Sequence, residues 1–163
     1  MDNLWAPWRL RYISLLKTKP KGCIFCNMLA EGKDKKNLIV LRSEHSFTVL
    51  NIYPYNNGHV LVVPNRHVRD LGELNKQERE DLLNLLQSTK ELIDKALKPG
   101  GYNIGINLGK IAGAGFPGHL HIHVVPRWGG DVNFMPVLTN TKIISQSLRT
   151  LFKRLNDANK KRH

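Results

Sequence analysis

The stretch Gly118-His119-Leu120-His121-Ile122-His123-Val124-Val125-Pro126-Arg127 decides how the rest of the sequence is read. Histidine alternates strictly with aliphatic residues, and on a strand residues two apart share a face. The pattern predicts a strand over His119 to Val125. Its three imidazoles would stand roughly 6–7 Å apart on one side, with Leu120, Ile122 and Val124 on the other. Purification tags are terminal and uninterrupted, so this row is not one. Two chemistries suit it. Histidines at i and i+2 can chelate one metal ion. Alternatively one imidazole is a nucleophile that its neighbours orient and charge. Carboxylates would help a metal-dependent hydrolase, and none stands between residues 95 and 130.

Outward from this stretch, Leu38 to Leu41, Phe47 to Leu50 and His59 to Val63 are short apolar or β-branched runs that predict strands, the last closed by Pro64. Tyr102, Ile104 and Ile106 alternate as a half-buried strand over Tyr102 to Leu108 would, and Gly109 to Gly118 is a small-residue loop. Asn75 and Glu78 form a capping pair ahead of Leu82, Leu86, Ile93 and Leu97, which recur at helical spacing until Pro99-Gly100-Gly101. Ile144, Leu148, Leu151, Phe152 and Leu155 predict a last helix. The reading is one α+β domain over 1–163. It has a mainly antiparallel sheet, one long helix, an apolar N-terminal arm at 1–18, and a C-terminal helix with a basic tail at 139–163.

The composition of the 163 residues is globular, 41% hydrophobic and 23% charged, which excludes a wholly disordered chain. No apolar run reaches the roughly 18 residues that span a bilayer, so no membrane partner is expected. The opening Met1-Asp2-Asn3-Leu4-Trp5 lacks the basic and apolar regions of a signal peptide, and the chain is read as cytoplasmic. Its net charge of +12 suits an anionic partner, either nucleic acid or a small polyphosphate. The only cysteines, Cys23 and Cys26, form a Cys-x-x-Cys pair suited to a metal or to redox chemistry rather than to a disulfide framework.

The row His119-Leu120-His121-Ile122-His123-Val124-Val125 resembles the histidine triad (HIT) family of nucleotide hydrolases and transferases. Cys23-Ile24-Phe25-Cys26, Leu50-Asn51, Gly58 to Pro64 and Tyr102 to Asn107 extend the likeness. Leu4 to Arg9 and Trp128 to Met135 look like the branch of diadenosine tetraphosphate phosphorylases and hydrolases.

The resemblance implies the HIT-like fold and cleavage of dinucleoside polyphosphates through a covalent nucleotidyl adduct on His121. His119 and His123 would flank the phosphate, and His59 would orient the row. Asn51 would bind the ribose hydroxyls and Asn107 the phosphates. Structural zinc would sit on Cys23, Cys26, His67 and His119, with His45 an alternative ligand; no organic cofactor is implied. A homodimer acting on a small nucleotide, with no specific nucleic acid as partner, completes the expectation. The alternatives are a nucleoside phosphoramidate hydrolase or nucleotidyl transferase, and a non-catalytic nucleotide-binding module. In one place the sequence departs from the family. Many members carry Gly-Gln-Ser/Thr-Val before the first histidine, whereas here Gly113 to Gly118 offers only a glycine-rich backbone to a leaving group.

Overall fold

A computed structural model describes residues 22–113, 115–131 and 143–160. The arm expected at 1–18, and 139–142 and 161–163 of the expected C-terminal segment, lie outside the described residues. Five strands form one sheet: β1 (Ile39–Arg42), β2 (Ser46–Leu50), β3 (Val60–Pro64), β4 (Gly101–Gly105) and β5 (Ile122–Arg127). Their order is β1-β2-β3-β5-β4, and every neighbouring pair is antiparallel. Two helices the sequence reading did not anticipate, α1 (Ile24–Glu31) and α2 (Asp34–Asn37), precede the sheet. The long helix α3 (Lys76–Leu97) and the last helix α4 (Leu148–Lys160) follow the expected order.

The alternation of the strands sorts the apolar residues into two layers. Val40, Leu50, Val60, Val62, Ile122 and Val124 pack with Leu82, Leu92 and Ile93 of α3 and with Leu151 and Leu155 of α4. On the other face Phe25 of α1 packs with Ile39, Phe47, Val49, Leu61 and Val63. The histidines lie on this second side, because Leu120, Ile122 and Val124 take the first. Asn75 and Glu78 form the reciprocal capping box that starts α3. Glu78 also accepts Arg66 Nε and a terminal Arg66 nitrogen at 2.6 and 2.7 Å. This guanidinium holds the Glu78 carboxyl down to about 2 and ties the helix start to the segment carrying His67. In the first layer Thr48 and Thr89 join their hydroxyls at 2.7 Å, which satisfies two buried polar groups between sheet and helix.

Three expected boundaries move. The triad strand begins at Ile122 rather than His119, so only His123 lies within it. Pro64, at the facing end of β3, has no N–H for the ladder, and the Leu120 N–H turns instead to the Val68 carbonyl at 2.7 Å. The strand expected over Tyr102 to Leu108 ends at Gly105, leaving Ile104 exposed at the sheet edge. The last helix starts at Leu148, not near Ile144, because the Ser147 hydroxyl accepts the Thr150 N–H and caps it.

Gly58 turns the chain into β3 at φ +77°, where a Cβ would lie 2.7 Å from Leu97 Cδ1 and 3.0 Å from Pro126 Cγ. Gly58→Ala is therefore expected to lower the unfolding free energy by about 1–3 kcal/mol. Denaturant unfolding measures this, and an unchanged midpoint would mean that the turn has room to spare.

Candidate active site

Antiparallel pairing of β3 with β5 sets Leu61 opposite His123 and brings His59, just ahead of β3, beside the histidine row. His59 is fully buried. Partners that can only donate or only accept fix each imidazole's tautomer. The Tyr55 N–H donates to His59 Nδ1 at 3.0 Å, so the neutral ring carries its proton on Nε2. That proton is donated to His123 Nδ1 at 3.0 Å, which leaves the His123 proton on Nε2. His123 Nε2 is buried and has no hydrogen-bond partner among the described residues. A buried donor of this kind costs free energy until something accepts from it.

His121 has the opposite arrangement. Its Nδ1 donates to the His119 carbonyl at 2.8 Å, so the lone pair is on Nε2. The His121 and His123 ring centroids are 4.9 Å apart, and Phe25 packs 5.4 Å from His121. His119 turns elsewhere. Its Nε2 donates to the Pro64 carbonyl at 2.9 Å, and its Nδ1 lies 3.2 Å from Cys23 Sγ and 3.7 Å from Cys26 Sγ. Cys26 Sγ is also 3.4 Å from His67 Nδ1.

Cys23, Cys26, His67 and His119 thus place four ligand atoms within 4.8 Å of one another. Zinc–sulfur bonds of about 2.3 Å and zinc–nitrogen bonds of about 2.0–2.1 Å at a tetrahedral angle put sulfur and nitrogen about 3.6 Å apart. The observed sulfur–nitrogen separations of 3.2 to 3.7 Å bracket that value. The bond to Pro64 fixes the His119 tautomer with Nδ1 facing the sulfurs, as an outer-shell acceptor does for a metal ligand. The residues therefore fit a tetrahedral metal ion. His67 completes the group, and His45 instead lies beside Glu44, 3.6 Å from its carboxylate.

The two asparagines differ. Asn51 Oδ1 accepts the Tyr53 N–H at 2.9 Å, and its amide nitrogen lies 3.3 Å from His59 Nδ1. Asn107 follows the end of β4, and its side chain makes no hydrogen bond among the described residues. Sequence reasoning missed Phe25, whose ring lies between His119 and His121, and Phe116 of the glycine-rich loop, which packs 5.9 Å from Phe25. It also missed the clasp that holds Tyr55. Asn56 Nδ2 donates to the Pro126 carbonyl at 3.0 Å and to Asp131 at 2.6 Å, and Asp131 is paired with Arg127 at 2.7 Å. The Arg127 guanidinium holds the Asp131 carboxyl far below the usual carboxylate range. A sequence gives no sign of a backbone N–H that sets a tautomer, although the turn residues Asn56-Asn57-Gly58 mark where one would lie.

The HIT domain family model matches residues 32–130. The chain belongs to the HIT-domain family. This HIT protein is 38% identical over 155 residues to AP-4-A phosphorylase from Mycobacterium tuberculosis, a match covering 91% of this chain and 80% of that one. It is 36% identical over 93 residues to the asymmetrical bis(5'-nucleosyl)-tetraphosphatase of Schizosaccharomyces pombe, covering 57% of this chain and 50% of that one. Among solved structures, a zinc-bound histidine triad family protein from Mycobacterium smegmatis aligns with a TM-score of 0.64 at 26% identity. That alignment covers 86% of this chain and 94% of the other. The α+β fold with a five-stranded antiparallel sheet is the HIT fold. The cysteine pair lies outside the matched domain, ahead of residue 32.

Burial holds all four imidazoles below the ordinary histidine value, His59 at about 3 and His123 at about 4, with neighbouring histidines adding to the effect at His59, His119 and His123. Between about pH 6.5 and pH 4 the unfolded chain binds protons that the folded chain refuses, so stability falls as pH falls through that window. Urea unfolding at pH 7 and pH 5 is expected to show this loss. The loss should shrink in His59→Gln, and an equal loss in the variant would remove His59 as a source.

Proposed function

We propose that this HIT protein is an enzyme that cleaves dinucleoside polyphosphates such as diadenosine tetraphosphate through a nucleotidyl intermediate on His121. The tautomer of His121 carries the reading: the His119 carbonyl holds the proton on Nδ1 and leaves the Nε2 lone pair free to attack. A P–N bond forms to the α-phosphorus, and the P–O bond to the remaining polyphosphate breaks. The leaving nucleotide departs with the bonding electrons. An acceptor then forms a new P–O bond while the P–N bond breaks and its electrons return to Nε2. The unpartnered His123 Nε2–H supplies a donor for a phosphoryl oxygen as charge builds there. His59 is a positioning residue, because its Nε2–H fixes the His123 tautomer. Asn107 is assigned to the phosphates. Asn51 would offer the ribose its second Oδ1 lone pair and remaining amide hydrogen.

The longer match to an AP-4-A phosphorylase favours inorganic phosphate as the acceptor, and the shorter match to a tetraphosphatase favours water. Diadenosine tetraphosphate turnover with and without phosphate separates the two: phosphorolysis gives ADP and ATP, hydrolysis gives AMP and ATP. His121→Ala is expected to lose at least on the order of a thousandfold in turnover with nucleotide binding kept. His123→Ala should lose on the order of a hundred- to a thousandfold. Near-normal turnover by His121→Ala would overturn the covalent route and favour a binding module.

We further assign zinc, in a structural role, to Cys23, Cys26, His67 and His119, supported by the fit of the four ligand atoms and by the zinc-bound relative. When bound, the ion would keep two thiolates charged and tie α1 to the segment after β3. His67→Ala is expected to lower both the zinc content found by elemental analysis and the melting temperature. An unchanged metal content would overturn the assignment. A homodimer is our reading of the assembly, which a solution mass of 18.6 kDa would exclude.

A further inference from the structure

A groove of about 1640 Å³ runs between β1 and α4, and its lining includes none of the histidines or cysteines of the site described above. One wall is a helical stripe. Arg149, Lys153, Asn156 and Lys160 are spaced four, three and four residues apart, which places them on one face of α4. The stripe extends about 16 Å at 1.5 Å per residue. The other wall carries Lys33 and Lys35 beside β1.

Part of the charge in the groove is already matched. Arg42 pairs with Asp34 at 2.6 Å, Lys36 pairs with Glu31, and Asp81 accepts from Ser43 and the His45 N–H. Lys35, Arg149, Lys153 and Lys160 form no ion pair among the described residues. By contrast, among the described residues no lysine or arginine takes part in the ring contacts or hydrogen bonds of His59, His119, His121 and His123. These described cations of the groove therefore lie away from the site assigned to the small nucleotide.

We propose that this groove binds single-stranded nucleic acid without sequence preference. Two rows of cations flank a floor that is largely apolar, including Leu41, Leu85 and Phe152, with Asn84 and Ser88 among its polar members and Asp157 its one carboxylate on α4. Such a lining suits a flexible phosphodiester chain, which sets its phosphates on the cations and its base faces on apolar surface. A peptide adding to the sheet edge fits less well. The register of β1 against β2 shifts between Ile39 and Leu41, and such an irregularity breaks the regular ladder an added strand needs.

Fluorescence anisotropy of a labelled oligothymidylate of about ten nucleotides tests the proposal on the full chain. Four phosphate contacts at about 0.7 counterions each predict roughly fiftyfold weaker binding at 200 mM than at 50 mM salt. Arg149→Glu with Lys153→Glu, and separately Lys33→Glu with Lys35→Glu, should each weaken binding at least about tenfold. Arg69→Glu with Lys76→Glu makes the same change in net charge outside the groove and should leave binding unchanged. Equal loss in all three pairs would reduce the effect to bulk charge and overturn the proposal. Displacement of the oligonucleotide by AMP would place it at the histidines and overturn it, as would equally tight binding of a polyglutamate peptide of the same charge.

Discussion

The Nε2–H of His119 donates to the carbonyl of Pro64 inside the protein, and the rest of the site is arranged around that bond. With the proton committed there, Nδ1 presents its lone pair to Cys23 and Cys26, so one ring joins the end of β3 to the start of α1. The carbonyl of the same residue accepts from His121 and leaves the far nitrogen of that ring unprotonated. One residue thus joins the four-ligand group through its side chain and fixes the His121 tautomer through its backbone. Replacing its side chain would disturb the second role only through the first.

The second set of bonds begins at Tyr55, whose N–H is held in place by the Asn56–Asp131–Arg127 clasp. A proton position fixed by a backbone donor passes through His59 to His123 and ends on an atom with no partner among the described residues. Burial keeps each ring neutral, so the relay is a fixed order of donors and acceptors rather than a set of charges. The cost of the unpartnered donor is borne by a sheet packed on both faces and by the capped helix beneath it.

Strict alternation of histidine with aliphatics was enough to place Leu120, Ile122 and Val124 in the core, and the Asn75–Glu78 box was enough to place the start of α3. Both are local patterns with one dominant period or cap. The Cys-x-x-Cys spacing and His67 indicated the four-ligand group only through resemblance, because the approach of residues 41 to 96 positions apart depends on the sheet order. The resemblance placed His119 with the thiols, but that its ring turns wholly to them and to Pro64, leaving His121 and His123 to face each other, was not legible. It follows from Pro64 lacking an N–H and from Leu120 bonding to Val68, both of which end the strand early. The helix α1 was missed because its eight residues carry no side-chain cap and bury only Phe25.

The placement of charge in this fold follows from the same burial. A phosphate held by a neutral imidazole donor such as the His123 Nε2–H in a desolvated site meets a dipole already oriented before charge develops, and this needs no lysine that water would have to release. Cations at the histidines would oppose that economy of reorganisation only if they were mobile and hydrated, as lysines are. Among the described residues, Lys33, Lys35, Arg149, Lys153 and Lys160 instead stand on the walls of the groove beside β1. Two strands, β2 and β3, lie between β1, which lines that groove, and β5, which carries His123. Long-range attraction of polyanions and short-range stabilisation of a phosphoryl group have opposite requirements for water, and the sheet lets one chain meet both.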